Sequence, residues 1–100
     1  MFVITVEAAP KRGHELYKQA GGAYVNVFVD FNDLWGAKQL ALLYITEQGW
    51  RITGKAIVKE VVASKTPKDV REYLKEAKRY GYSMVFNLWP KKKVPTKKRS

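Results

Sequence analysis

The strongest constraint on the fold lies in residues 23–31, where apolar positions alternate strictly with a second set of side chains. The apolar positions are Ala23, Val25, Val27, Val29 and Phe31. Successive side chains of a β-strand point to opposite faces of the sheet, so this period of two predicts a strand with one buried face. Because a lone strand is not stable in water, the chain needs further strands to pair with this one.

Three further segments carry the same alternation, at residues 2–7, 50–62 and 82–89. Gly54 interrupts the second of these segments, and a glycine inside a strand pattern predicts a β-bulge. A long basic loop over residues 9–22 is predicted between the first two strands, because glycine and proline mark turns. The sequence therefore predicts four strands.

Two segments with the period of an α-helix separate the later strands. The first begins at a cap of Asn32 or Asp33 and ends before Gly49. Its apolar positions cover more than half of the helix circumference, so we expect cover on two sides, either from the second helix or also from another subunit. The second helix begins at Thr66, whose hydroxyl is expected to cap it, and ends at Gly81.

The order ββαβαβ predicts an α+β fold, a two-layer α/β sandwich in which a four-stranded, mainly antiparallel sheet carries both helices on one face. A single domain over residues 1–90 accounts for these elements, since 100 residues enclose one thin core. Residues 22–26, the Gly49-Trp50 pair and residues 81–90 resemble segments of small, uncharacterised bacterial α/β proteins of ferredoxin-like architecture. That resemblance implies a fold and transfers no active site.

The formal net charge is +10, and much of it lies in the last ten residues of the sequence. Six basic residues occur there without an acidic one, namely Lys91, Lys92, Lys93, Lys97, Lys98 and Arg99. Such a segment buries too little apolar surface to offset its chain entropy, so residues 91–100 are predicted to be a disordered basic tail. A mobile polycation releases counterions when it meets phosphates, although it also raises solubility without binding anything.

Few kinds of catalytic site are compatible with the composition. The chain has no cysteine, which excludes a thiol nucleophile, a zinc ribbon and a disulfide framework. His14 is the only histidine, and Gly21-Gly22 precedes a strand, whereas a phosphate-binding loop opens a helix. We therefore expect no enzymatic activity, no cofactor and no metal.

The longest apolar run, residues 40–45, is far shorter than the roughly 20 residues that cross a bilayer. Phe2 to Glu7 lacks the basic start of a secretory signal and reaches a carboxylate early. The sequence accordingly predicts a cytoplasmic protein without a membrane span.

A basic stripe on the second helix is the first predicted binding surface. It comprises Lys68, Arg71, Lys75, Lys78 and Arg79. Like charges four residues apart destabilise a helix, so the stripe is not explained by local stability. It predicts a nucleic acid or an acidic protein as partner, and the alternative is an ordinary solvated face.

The sheet face without helices is the second predicted surface, and it mixes aromatic with basic side chains. Its candidate residues are Tyr24, Phe28, Arg51, Lys55 and Trp89. Aromatic rings stack on the bases of single strands, and cations bind the phosphates between them. The same residues alternatively form a homodimer interface, because an apolar patch of this size is uncommon on a monomer.

These patterns together predict a small, non-enzymatic binding module, homodimeric through the open sheet face, with basic surfaces for nucleic acid or another acidic partner. Two alternatives stay open at this point. One is a protein-binding module of the antitoxin or immunity type, and the other is a homodimeric protein that binds a small ligand.

Overall fold

The computed structural model describes residues 1–90, apart from the side chain of Ala63, and the predicted basic tail lies outside the described residues. The elements follow as β1 (Phe2–Pro10), β2 (Ala20–Val29), α1 (Leu34–Glu47), β3 (Trp50–Glu60), α2 (Lys68–Tyr80) and β4 (Tyr82–Pro90). The predicted order ββαβαβ is therefore confirmed.

The four strands form one antiparallel sheet in the order β3-β1-β2-β4. β1 and β2 form a central hairpin, and β3 and β4 are the two edge strands. The predicted α+β fold with a four-stranded antiparallel sheet is confirmed, whereas the strand order does not confirm the ferredoxin-like arrangement.

The two helices lie on opposite faces of the sheet, so the prediction of both helices on one face is wrong. α1 packs against the front face, which is formed by side chains such as Ile4 and Val25. α2 packs against the back face, where Phe28 and Val85 have the opposite strand parity. The physical reason is that the sheet carries apolar side chains on both faces at the end where α2 lies.

The front-face core consists of branched side chains of the central hairpin packed against small side chains of α1. Val6, Val25 and Ile4 are fully buried in the sheet, and Ala37 and Ala41 are fully buried on the helix. Alanine has no side chain beyond Cβ, so the axis of α1 can approach the branched layer closely. Close packing of this kind fills the interior without voids.

The helix ends agree with the sequence at three of four positions. Asp33 caps α1 by accepting a hydrogen bond from the Gly36 amide at 2.7 Å. Gly49 and Gly81 end the helices with φ of +87° and +94°, conformations that favour glycine. The predicted hydroxyl cap of α2 is wrong, because Thr66 donates its hydrogen bond to the Val62 carbonyl at 2.8 Å.

β2 begins at Ala20, so the basic loop is shorter than predicted. Gly22 pairs with Trp89, and Ala20 pairs with Pro90, because β4 extends far enough to give these residues backbone partners. The predicted bulge in β3 is confirmed, since the register jumps between Val6 and Ala8 opposite the segment that holds Gly54.

The close approach of Trp89 to β2 predicts the effect of adding one methyl group. A Cβ at Gly22 would overlap the Trp89 ring and lie 2.9 Å from the Ala8 carbonyl oxygen. We expect Gly22→Ala to lower the free energy of unfolding by about 1–3 kcal/mol, the usual cost of overpacking, although alanine ordinarily stabilises a strand relative to glycine. Chemical denaturation measures this change.

A double-mutant cycle is the control for the Gly22 prediction. In a Trp89→Ala background the ring is gone, so Gly22→Ala should cost less than it does in the parent chain. An equal cost in both backgrounds would contradict the assigned contact with Trp89.

Ser83 predicts a stabilising substitution. Its hydroxyl oxygen is buried and has no hydrogen-bond partner among the described protein atoms. Because an unsatisfied buried hydroxyl is costly, Ser83→Ala should raise the free energy of unfolding by about 1 kcal/mol and Tm by about 4–8 °C. Ser64→Ala on the exposed loop before α2 is the matched control and should leave Tm unchanged.

Candidate functional site

The back face is organised as cross-strand rows that run from the end under α2 to the end where β4 finishes. The row under α2 contains Lys59, Val3, Phe28 and Ser83. The next row contains Ile57, Thr5, Asn26 and Val85. Glu7, Tyr24 and Asn87 follow, and Trp89 opposite Gly22 completes the face. α2 covers the part of these first two rows that holds Phe28 and Val85, so the remaining residues form the open part of the face.

Phe28 is not part of the open surface. It is 7% exposed and stacks on Tyr73 of α2, with ring centroids 6.1 Å apart and an interplanar angle of 7°. The Phe28 ring is therefore largely covered by α2, and its role in ligand stacking or in a dimer interface stays a prediction. Part of the apolar patch is covered by α2 of the same chain.

The exposed Tyr24 and the half-buried Trp89 form an aromatic pair at the far end of the back face. Their ring centroids are 5.0 Å apart with an interplanar angle of 56°, and Tyr24 is 52% exposed. The Trp89 indole lies directly against Gly21 and Gly22, where a larger residue would displace it. The pair is thus held in place by the strand beneath it.

A cleft of about 540 Å³ lies beside the aromatic pair, lined by Glu7, Tyr24, Trp89 and Pro90. The Glu7 carboxylate accepts a hydrogen bond from the Thr53 hydroxyl at 3.2 Å. Pro90 is the residue after which the basic sequence 91–100 begins. The cleft therefore joins exposed aromatic rings, one carboxylate and the start of the basic tail.

The floor between the aromatic pair and α2 is polar. The Thr5 hydroxyl donates to the Asn26 side-chain oxygen at 2.7 Å. The Asn87 amide group donates to the Tyr24 carbonyl oxygen at 3.4 Å. With their amide oxygen or nitrogen engaged in this way, the Asn26 and Asn87 side chains are oriented and retain further hydrogen-bonding atoms for a ligand.

The basic stripe on α2 is exposed along its whole length, as predicted. Lys75 pairs with Glu72 at 3.5 Å, but both side chains are about three-quarters exposed, so solvent screens this pair strongly. Arg71, Lys75 and Lys78 border a groove of about 540 Å³ whose apolar floor includes Leu74. The stripe therefore combines cations with apolar surface.

Two lysines that the sequence reasoning missed also border the back face. Lys59 and Lys65 line a second groove of about 600 Å³, which runs over Thr5 and Asn26 and meets the first groove at Val61. Lys59 has the back-face parity of β3, so the alternation along this strand could have predicted its position. Lys65 lies in the loop before α2, and only the tertiary structure places it here.

The structure does not gather the predicted residues into one compact site. Val85, which packs against α2, and Trp89 are four positions apart on β4, a separation of about 13 Å at 3.3 Å per residue. Arg51 and Lys55 are exposed on the edge strand β3, where Arg51 pairs with Ala9 and lines a small pocket with Gly21. The result is an elongated surface with aromatic rings at one end and the basic stripe at the other.

His14 has a structural environment. Its ring packs edge-on against Trp50 at 5.3 Å, and its Nδ1 atom accepts a hydrogen bond from the Leu16 amide at 3.0 Å. Within residues 1–90, no group of three or more His, Asp or Glu side chains is placed to hold a metal ion. In the same part of the chain, no helix is both long and apolar enough to span a membrane.

Comparison with protein families, with curated proteins and with solved structures finds no match for this chain. The resemblance to small bacterial α/β proteins therefore stays a prediction, and the site has to be interpreted from its own geometry.

Charge reversal within the basic stripe tests whether it opposes helix stability. Lys75→Glu replaces two like-charge contacts, with Arg71 and Arg79, by attractive ones and loses only the exposed pair with Glu72, so we expect the free energy of unfolding to rise by a few tenths of a kcal/mol. Thermal unfolding at low and high salt measures the change, and the gain should shrink as salt screens the charges.

Lys38→Glu on α1 is the matched control, because Lys38 has apolar residues, Leu34 and Leu42, four positions away on either side. No comparable gain is expected there. A loss of stability for Lys75→Glu that is independent of salt would contradict the charge argument.

Proposed function

We propose that this protein is a small, non-enzymatic module that binds single-stranded nucleic acid along the open back face of its sheet. The observation that carries the proposal is the Tyr24–Trp89 pair, with Tyr24 exposed and Trp89 half-buried, which immediately precedes in sequence a segment of six basic residues without an acidic one. Non-specific binding of a single strand requires aromatic side chains on which bases stack and cations that bind the phosphates along the strand. A cytoplasmic location belongs to the same proposal.

The aromatic pair is the part of the surface that selects single strands. Bases in a duplex are stacked on one another and present no free ring face, whereas single-stranded bases stack on exposed side chains. Tyr24 is half exposed, and Trp89 is braced by the glycines beneath it. We infer that these rings take one or two bases.

Glu7 sets the orientation of the strand in the cleft. A carboxylate repels phosphate, but it accepts hydrogen bonds from the N–H groups of cytosine, adenine or guanine. Because Glu7 lines the same cleft as Tyr24 and Trp89, a base stacked there points its N–H groups toward the carboxylate, and its phosphate points away from it. The lysines of residues 91–100 add positive charge for phosphate binding.

The basic stripe extends the surface for the rest of the strand. Arg71, Lys75 and Lys78 border the groove beside α2, and Lys59 and Lys65 border the groove that leads from it toward the polar floor. These cations bind phosphates without reading sequence. The proposed path therefore runs from the aromatic pair, over Thr5 and Asn26, to α2.

The apolar floor of the groove beside α2 favours a second candidate, a protein partner. Met1, Val61 and Leu74 lie between the cations Arg71 and Lys75, so an acidic protein with a few apolar side chains also fits this groove. That arrangement corresponds to the antitoxin or immunity type, in which opposite charges speed association. The following experiment separates the two candidates.

Binding of a labelled single-stranded RNA, and of the matching duplex, over a salt series tests the proposed function. The full chain is compared with a version that ends at Pro90, and with the variants Tyr24→Ala and Lys75→Glu. Tyr80→Ala controls for loss of an exposed tyrosine, since Tyr80 is 67% exposed at the end of α2. Lys38→Glu controls for the change in charge.

We expect Tyr24→Ala to weaken single-strand binding about 5- to 150-fold, the range of one base stack. Lys75→Glu should weaken binding and flatten the salt slope, which is about 0.7 per phosphate contacted on a single strand. Both controls should bind like the parent chain, and the version ending at Pro90 should bind more weakly with a shallower slope.

Two outcomes would overturn the proposal. Binding that is equal for duplex and single strand and indifferent to Tyr24 would show that no stacking occurs. Absence of binding at low salt, together with recovery of one stoichiometric acidic protein that Lys75→Glu releases, would establish the second candidate instead.

A further inference from the structure

The solvent side of α1 exposes three large apolar side chains, Leu34, Trp35 and Leu43, beside the polar Gln39 and Glu47, which is unusual for a surface helix of so basic a protein. Lys38 and Glu47 are its only charged residues. Ala37, Ala41 and Ile45 face the sheet and are buried, yet Trp35 and Leu43 are 63% and 51% exposed on the other side. A surface helix ordinarily carries polar residues there.

Phe31 enlarges this apolar surface at a cost to the helix. Its ring lies directly against Gly36, where a Cβ would overlap it. Glycine within a helix costs about 1 kcal/mol relative to alanine, so helix stability is reduced where the ring is accommodated. Phe31 nevertheless stays exposed. An exposed aromatic ring for which the helix makes room is typical of a residue that a partner covers.

No element of residues 1–90 covers the solvent side of α1. The sequence left two ways to cover it, the second helix or another subunit, and α2 lies on the opposite face of the sheet. Cover by the second helix is therefore excluded within the described part of the chain. Cover by another subunit remains.

The distribution of charge over the surface favours a second copy of this chain as the partner that covers α1. Two copies that meet through α2, or through the back face, bring the lysines and arginines of the stripe together and repel each other. α1 has one cation and one anion in its 14 residues, so two such helices approach without net repulsion. Among the helices, α1 is the one suited to self-association.

The spacing of the exposed apolar residues is self-complementary. Trp35 and Leu43 each lie four positions from Gln39, about 6 Å along the helix axis in opposite directions. A two-fold axis through Gln39 that relates antiparallel helices places Trp35 of one copy against Leu43 of the other, twice. Gln39 then meets its own copy, and two amide side chains can exchange hydrogen bonds.

We propose that the protein forms a two-fold symmetric homodimer through the outer side of α1, with antiparallel α1 helices crossing at Gln39. α1 lies on the front face, so this dimer leaves both back faces exposed and pointing away from each other. The inference does not depend on what the back face binds, and the two proposals fail independently.

Sedimentation equilibrium of the full chain across a concentration series is the first test. Leu43→Glu should raise the dimer dissociation constant about 10-fold or more, because it removes the apolar contact with Trp35 and desolvates a carboxylate, a cost that Lys38 over the Trp35 ring offsets only in part. Leu88→Glu is the matched control, since Leu88 lies on the edge strand β4 and is equally exposed at 51%. It should leave the dissociation constant unchanged, and circular dichroism checks that both variants fold.

Cysteine cross-linking is the second test and does not require a destabilised interface. The chain has no native cysteine, so Gln39→Cys introduces a single thiol. Mild oxidation should convert most Gln39→Cys protein to a covalent dimer, while Lys55→Cys, on exposed β3, should stay monomeric under the same conditions.

A parent chain that sediments as a monomer throughout the series would overturn the proposal. So would a dimer that persists in Leu43→Glu, or one that Leu88→Glu disrupts, because either result places the contact on another surface. Failure of Gln39→Cys to cross-link in a chain that is dimeric would exclude the proposed two-fold axis.

Discussion

The packing of α1 on the central β1–β2 hairpin is the interaction on which the rest of the structure depends. The hairpin supplies fully buried branched side chains, among them Ile4, Val25 and Val27, and α1 supplies Ala37 and Ala41. Burying a branched aliphatic side chain contributes about 1.5–3 kcal/mol, so this layer accounts for much of the stability of a small domain. Small helix residues let the two layers approach each other closely.

Occupation of the front face by α1 explains the shape of the candidate site. α2 has its own buried residues, Leu74 and Ala77, and it covers the apolar end of the back face around Phe28. It is too short to cover the whole face. The rest of the back face consequently stays open. It runs from the Tyr24–Trp89 pair at one end, over Thr5, to the cations of α2 at the other. The proposed binding surface is the part of the sheet that neither helix covers.

The secondary structure could be predicted from the sequence because it depends on local periodicity. Alternation located the four strands, and the ends of α1 at Asp33 and Gly49 agreed with the structure, since caps involve neighbouring residues only. The loop over residues 9–22 was overestimated because Gly21 and Gly22 favour a turn locally, whereas Trp89 on a distant strand makes them part of β2.

The candidate site could be predicted only in part for the same reason. Helical spacing placed the cations of α2 on one stripe, and strand parity placed Tyr24 with Trp89 on one face, as the structure confirms. Parity also placed Phe28 on that face, but it could not show that α2 lies over it. Lys65 lines the groove because the loop before α2 passes beside it, and no local sequence pattern predicts the course of that loop.

The sequence by itself determined which residues form strands and helices, which side of each strand is apolar, and where the positive charge accumulates. These properties follow from the geometry of the backbone and the identity of nearby side chains. Only the tertiary structure decided which face of the sheet each helix covers. That choice depends on competition between two apolar faces for two helices, and it is settled by contacts between residues far apart in the chain.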